Sequence, residues 1–536
     1  MSIKLKLFEL ASEADQAQRL LDTYKSIVGK TQWDPEMHVE KEITEFQLDN
    51  DDRIGYVLLP LIPGYRTLCV RFCVFGHAFR TRGYEPIILR DDKDLPVRPE
   101  LTVDLENKPT TVEGCRYMSK KYPELFNIKT VSIGDVLGSD YQYPNLTGLK
   151  DGNIKSLIYR GTDIYECAAA STRKYLKIYT LNTSDQEIRR IFENFLYGGI
   201  LIADATKELL DSYNIEITVV NEGSYIQGKV PLDISEKEGV KVYHQANGYQ
   251  RGKLLFGRPD NRHHMPQFSD SRVTDKVVNT KLSERQNKLL DSLIQKRKGG
   301  DITPTTNNDL SVEKKDSHMI GVFSHLMWDS SLEPEQAIYE NIYDWLGETI
   351  EVASQKEDTR FIIKAHPWEE ARGTNESTGG WIEENHSPLP DNIEFLPPDT
   401  DVNTYALIED LDAGVVYAST VGLEMALDGV PVLVGGYPPY HGFGITHDPS
   451  NKSEYREKLQ NIENLKHGGE RQKRARRFAY FHFICKHLDF PPLAKPEKEV
   501  HLKHEDFIGE ESVYGLIADQ ILKGEEVIKP GCMGLK

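Results

Sequence analysis

The chain has 536 residues, 39% hydrophobic and 28% charged, a balance that excludes a disordered or fibrous protein. It is too long for one core, and ~150 residues per domain points to two to four domains. The formal net charge of -19 excludes general nucleic-acid binding, because phosphate backbones call for a basic field.

Residues 1–50 read as a helical extension followed by a charged stretch. No apolar run approaches the ~20 residues that cross a bilayer. The opening MSIKLKLFELASEADQAQRLLDTYKS also lacks the apolar centre of a signal peptide. The expected location is therefore the cytoplasm. IGYVLLPL (Ile54 to Leu61) is a continuous apolar run, as a strand buried on both faces requires. Pro63 and Gly64 break it. Leu68, Phe72, Phe75 and Phe79 then recur at helical spacing, and YEPIILRDD supplies the next strand, completing a βαβ unit. Further along, IRRIFENFLYGGILIADATKELLDSY reads as a helix. IEITVVNEG and VKVYHQANGY each read as a strand ending in a turn.

A first Rossmann-like domain is expected over 51–285, and a linker over 286–317, where apolar periodicity disappears. A second Rossmann-like domain is expected over 318–490. There HMIGVFSHLMWD, TRFIIKA, NIEFLPP, AGVVYA and VPVLVGG are strands, with helices between them, one opened by Pro334. A tail with one helix fills 491–536. The expected fold class is α/β, with two parallel sheets facing a central cleft, where ligands of open sheets bind. The six cysteines are scattered without a CxxC pair, so neither a zinc site nor a disulfide framework is expected. DDKD (Asp91 to Asp94) reads as a solvated loop, and the isolated pair His263-His264 does not make a metal site.

The strongest chemistry lies in the second domain. TRFIIKA delivers Lys364, His366, Pro367, Trp368 and Glu369 at a strand's carboxyl end. AGVVYA delivers Ser419 and Thr420 to the start of the next helix, with Glu424 four residues on from Thr420 and on its face. Gly422 permits close approach to the backbone. The free N–H groups and partial positive charge of a helix start, two hydroxyls and a histidine suit a phosphate. Glu424, acceptor-only at neutral pH, suits two ribose hydroxyls. The plain alternatives are an N-cap for Ser419 or Thr420, a structural His366 and a solvated Glu424.

KAHPWE followed by STVGLEMALDGVPVLVGG resembles the donor half of GT-B glycosyltransferases. In particular it is similar to the capsule polysaccharide biosynthesis family and to bacterial sialyl- and Kdo-type transferases, over roughly 318–450. The resemblance implies a CMP- or UDP-sugar held by His366, Ser419 and Thr420, with Glu424 at the ribose. It also implies an acidic-acidic-Gly motif carrying the base that activates the acceptor. VVNEGSY offers Asn221, Glu222 and Gly223 there, with Asn221 in place of the first acid, so that Glu222 is either the base or a turn residue. His244 is a candidate for the acceptor side, and Tyr440, His441 and Thr446 of the GYPPYHGFGITHDP loop for a lid. The basic and aromatic stretch near 471–487 is expected either to shield the core or to rest on an anionic membrane at its inner face.

The expected activity is an inverting transfer without metal or cofactor, from a nucleotide-sugar to a glycan or lipid-linked acceptor of surface polysaccharide. The alternatives are a sugar-nucleotide 2-epimerase of like architecture, whose glycine-rich turn is missing from STVGLE, and a non-catalytic polysaccharide-binding or export-associated protein.

Overall fold

The computed structural model describes residues 37–97, 112–142, 144, 156–250, 252–258, 265–299, 318–329, 337–493, 500–509 and 512–534. The extension expected over 1–50 lies outside these as far as 36, as do the pair His263-His264, Pro334 and the linker from 300 to 317. The chain divides into two units. Unit 1 comprises 1–171, 183–245 and 489–527, and unit 2 comprises 172–182, 246–488 and 528–536.

In unit 1 the apolar run becomes β1 (Gly55–Leu61), buried along almost its whole length. Helix α1 (Arg66–Arg80) buries the stripe Leu68, Phe72, Phe75 and Phe79, and β2 (Tyr84–Arg90) follows. Then come α2 (Val112–Leu125), β3 (Lys129–Ser132), α3 (Gln186–Ser212), β4 (Ile215–Asn221), α4 (Ile226–Lys237) and β5 (Lys241–Asn247). Asp185 caps α3 by accepting from the N–H groups of Glu187 and Ile188 at 2.8 and 3.1 Å. The strands are parallel, in the order β5-β4-β1-β2-β3. The chain leaves β1 toward β2 on one side and β4 toward β5 on the other, so β1 and β4 form a topological switch point.

In unit 2, α5 (Glu284–Lys298) starts at a capping box between Ser283 and Gln286. It is followed by β6 (His318–Phe323), α6 (Ile342–Ser354), β7 (Thr359–Lys364), α7 (Thr378–His386), β8 (Ile393–Leu396), α8 (Thr404–Asp410), β9 (Ala413–Val416), α9 (Val421–Asp428), β10 (Val432–Val434) and α10 (Gly469–Tyr480). These strands too are parallel, in the order β8-β7-β6-β9-β10. The switch point is β6/β9. Hydrophobic clusters cover both faces, one built on Trp345, Ile350 and Tyr455, the other on Leu423, Met425, Phe478 and Phe481.

Several expectations change. The division falls at Gln245 and Ala246 rather than at 285. The head of the expected linker is instead part of α5, which belongs to unit 2: Leu290 enters its core and Arg297 pairs with Glu424. The helix expected to open at Pro334 starts at Ile342, capped by Asn341, whose side chain accepts from Asp344 N–H at 2.8 Å. Cys485 and Cys532 form a disulfide with Cα atoms 5.7 Å apart. This pairing joins residues far apart in sequence, which CxxC spacing cannot signal.

The basic and aromatic stretch also reads differently. Phe478, Tyr480, Phe481 and Phe483 are buried in unit 2's core. Arg474 donates to Phe443 O at 3.1 Å, Arg477 to Val278 O at 2.9 Å and Arg476 to Asp291 at 2.7 Å. Membrane contact through this stretch is thus lost as an expectation, because its aromatic rings fill the core and these guanidinium groups are bonded to the chain itself. Among the described residues, no helix is long and apolar enough to cross a membrane.

Candidate functional site

The register of unit 2 sets the site. Phe323, the last residue of β6, lies opposite both Lys364 of β7 and Val416 of β9. The three strands end level, and β7 and β9, one spacing to either side of β6, are ~10 Å apart. Lys364 and His366 leave one strand, Ser324 and His325 the middle one, and Ser419 and Thr420 the third. The structure thus assembles Lys364, His366, Ser419 and Thr420 along one carboxyl edge, around the switch point where open α/β sheets take ligands.

His366 is half-buried. Its Nδ1 accepts the Trp368 N–H at 3.1 Å, which leaves the ring proton on Nε2. Desolvation, followed by repulsion from His325, brings its pKa down to about 3, with Asp329 opposing weakly. At neutral pH the ring is therefore an uncharged donor with a fixed tautomer, not the charged one that the sequence leaves open. The loop that carries it is pinned. Glu369 N–H donates to His366 O at 3.0 Å, and the buried Glu369 carboxylate accepts Thr378 N–H at 3.1 Å and the Thr378 hydroxyl. Pro367 and Trp368 are exposed beside it.

Lys364 is 4% exposed, and among the described residues its ammonium has neither an ion-pair nor a hydrogen-bond partner. Burial alone brings its pKa down to about 8. An uncompensated buried ammonium is costly, and a bound anion would relieve the cost.

The helix start differs from the expectation. Ser419 Oγ accepts Val421 N–H at 3.3 Å, Ser419 O accepts Gly422 N–H at 3.3 Å, and Thr420 O accepts Leu423 and Glu424 N–H at 3.0 and 3.2 Å. The first-turn N–H groups of α9 are therefore occupied. What remains for a ligand is the two hydroxyl protons and the helix dipole. Thr420 sits at the N-cap position without a side-chain cap bond.

Gly422 is needed for a close approach, but the group that approaches is Tyr440. A Cβ there would lie 2.1 Å from the Tyr440 hydroxyl, which donates to Ser419 O at 2.6 Å. Tyr440 is 1% exposed, a prop beneath the helix start rather than a lid. Thr446 is buried with its hydroxyl on Asp448, and the His441 ring lies tilted against that of Tyr437, centroids 4.5 Å apart. Glu424 is engaged by a cation of its own unit. Its Oε1 takes Nε of the buried Arg297 at 2.9 Å and also Nη2. Together with Tyr405 and Phe483, the pair borders a small hollow.

Sequence reasoning missed two residues here. His325, its ring 5.8 Å from that of His366, follows a buried strand in SHLMWD, just as His366 follows TRFIIK, and that parallel was the available signal. Arg297 gave none, since its partner is 127 positions away.

In unit 1, Glu222 follows β4 in the left-handed region at φ 52°. Its N–H donates to Gln245 O at 2.9 Å. A Cβ on Gly228 would lie 1.9 Å from Glu222 O, so α4 starts against this turn only because residue 228 is glycine. Asn221 Oδ1 accepts from Arg71 Nη2 at 2.9 Å. His244 is fully buried within β5.

These features define an α/β protein of two units, each a parallel sheet with a switch point in its middle. Residues 233–472 match the family model described as "Capsule polysaccharide biosynthesis protein". No curated protein matches the chain. Among solved structures it is similar to the beta Kdo 2,4 transferase of Thermosulfurimonas dismutans KpsC, at 11% identity over 49% of this chain and 79% of that one, with a TM-score of 0.32. The beta Kdo 2,7 transferase of the same protein gives 16% identity over 51% and 79%, with a TM-score of 0.31. The UDP-GlcNAc 2-epimerase of Neisseria meningitidis gives 12% identity over 87% and 100%, with a TM-score of 0.28.

Proposed function

We propose that the chain is a glycosyltransferase that moves a sugar from a nucleotide-activated donor to a glycan or lipid-linked acceptor in capsular polysaccharide synthesis. Unit 2 holds the donor. One observation carries this reading: an unpartnered buried ammonium, a neutral histidine with its Nε2 proton directed by its tautomer, and two hydroxyls stand along one carboxyl edge. All are donors or positive, and among the described residues no carboxylate pairs with the Lys364 ammonium. That combination suits a phosphate.

In the transfer, the bond between the anomeric carbon and the phosphate oxygen breaks, and negative charge grows on the leaving nucleotide. His366 Nε2–H, the Lys364 ammonium and the hydroxyls of Ser419 and Thr420 stabilise that charge as it develops. The acceptor hydroxyl forms the new bond from the opposite face and gives its proton to a base, for which Glu222 is the candidate. The outcome is inversion, and neither a metal nor a cofactor has a role in it. Glu424, held by Arg297, takes a ribose hydroxyl only through the oxygen that Arg297 leaves uncovered.

A thermal-shift screen with CMP, UDP, GDP and ADP tests the reading. One nucleotide is expected to raise the melting temperature, and at a hundred times its Kd to stabilise by ~2.7 kcal/mol. No shift with any of the four removes the donor site. Conversion of a UDP-sugar without acceptor replaces transfer by epimerisation.

A further inference from the structure

We propose that unit 1 carries a second anion site at its own switch point, built on Arg71, which takes a carboxylate or phosphate group of a ligand. Naming that ligand the acceptor rests on the reading above; the site itself does not.

Arg71 lies in the second turn of α1 and is 1% exposed. Its Nη2 donates to Asn221 Oδ1 at 2.9 Å and to the Tyr65 hydroxyl at 3.4 Å, and its Nε to Thr67 O at 3.4 Å. Every one of these partners is neutral. Nη1 is buried without a hydrogen-bond partner, and among the described residues no carboxylate pairs with the guanidinium. A buried guanidinium without counter-charge is strongly unfavourable unless a ligand supplies the charge. Two other buried arginines have such a carboxylate: Arg90 at the end of β2 pairs with Asp92 and Arg297 with Glu424.

Its placement gives the second argument. Tyr65 precedes α1 and Asn221 ends β4, so a guanidinium that reaches both sits at the junction of β1 and β4, where the strand order reverses. Helices α1 and α4 both start there. Their N-cap residues, Tyr65 and Tyr225, make no side-chain cap bonds, and neither first turn contains an acidic residue. Two positive helix ends and a cation thus converge, while Glu222 is the single acid in the adjoining turn. A guanidinium with Nη2 engaged by Asn221 and Nη1 unpaired suits an anion's oxygens. The ligand class is an acidic sugar or a phosphorylated one.

The test titrates the full chain, with any nucleotide found in the screen present at saturation so that unit 2 is filled, with glucuronate, inorganic phosphate and neutral glucose, followed by ligand-observed NMR. Wild type is expected to bind glucuronate or phosphate and not glucose, and whichever binds identifies the source of the charge. Arg71→Gln is expected to weaken that binding by about tenfold or more, as loss of a charged hydrogen bond implies. His366→Ala is expected to leave it intact. Asn221→Asp places a carboxylate on Arg71, so it is expected to weaken anion binding equally while raising the melting temperature. That variant keeps the inference open to refutation if Arg71→Gln fails to fold. Binding that survives both unit 1 changes, or that disappears in His366→Ala, overturns the inference. Nucleotide binding with Arg71-independent anion binding sinks this site alone; Arg71-dependent anion binding with no nucleotide sinks the donor reading alone.

Discussion

In both units a parallel sheet reverses its strand order in the middle, at β1/β4 in unit 1 and β6/β9 in unit 2, yet the two edges handle charge differently. Unit 2 keeps its histidine neutral, closes its first-turn N–H groups on Ser419 and Thr420, and ties Glu424 to Arg297. Among the described residues, the Lys364 ammonium is left uncompensated. Unit 1 leaves a whole guanidinium on neutral partners, beside a half-buried acid on a left-handed turn. The same topology therefore yields a site whose donors are mostly uncharged and pre-aimed, and another dominated by one fixed cation. Shared fold sets where a ligand goes, and the local pairing of charges sets which ligand it is.

The largest expected effect breaks the paired side of that contrast. Arg297→Ala leaves the Glu424 carboxylate buried and alone, and should cost about 3–5 kcal/mol in urea denaturation of the full chain. Arg297→Met with Glu424→Leu should recover most of the loss. A loss near zero for Arg297→Ala would mean that Glu424 is not held by this pair and that its carboxylate is open to a ribose.

Next comes the prop beneath the helix start. Gly422→Ala sets a methyl group against the Tyr440 hydroxyl and should destabilise unit 2 by about 1–3 kcal/mol. Tyr440→Phe removes the bond to Ser419 O and should cost only about 1 kcal/mol. If Gly422→Ala were silent in thermal melts but weakened nucleotide binding, a ligand rather than Tyr440 would be the reason for the glycine.

The smallest effect is the pH dependence of donor binding. The Lys364 pKa is lowered to about 8, so below that pH the ammonium is present and affinity should be flat. Above it, binding a phosphate requires proton uptake, and affinity should fall ~tenfold per pH unit until the bound-state pKa is passed. His366, neutral down to about pH 3, adds no step in this window. Lys364→Met should abolish the dependence. Titrations at stepped pH check it, and a fall beginning near pH 6.5 would implicate a histidine instead.

Much of this architecture was legible in the sequence. The strands IGYVLLPL, TRFIIKA and AGVVYA are uninterrupted apolar runs with short connections, and their carboxyl ends deliver His366, Ser419 and Thr420 as the pattern implies. What the sequence concealed depends on distant pairs. The polar surface of α5 resembles a linker until Arg297 meets Glu424, and Arg71 resembles any helix arginine until Asn221, 150 positions away, becomes its partner. Gly422 was readable as a close-approach glycine, but a glycine does not name its visitor. The aromatic run of α10 has the composition of a membrane-facing stretch and the location of a core helix.

The most direct measurement is a calorimetric titration of the nucleotide found in the screen into wild-type protein and His366→Ala at neutral pH. With Nε2–H as a donor to the phosphate, the variant should bind at least about tenfold more weakly while melting as the wild type does. Equal affinity in the two proteins would contradict the donor site in unit 2.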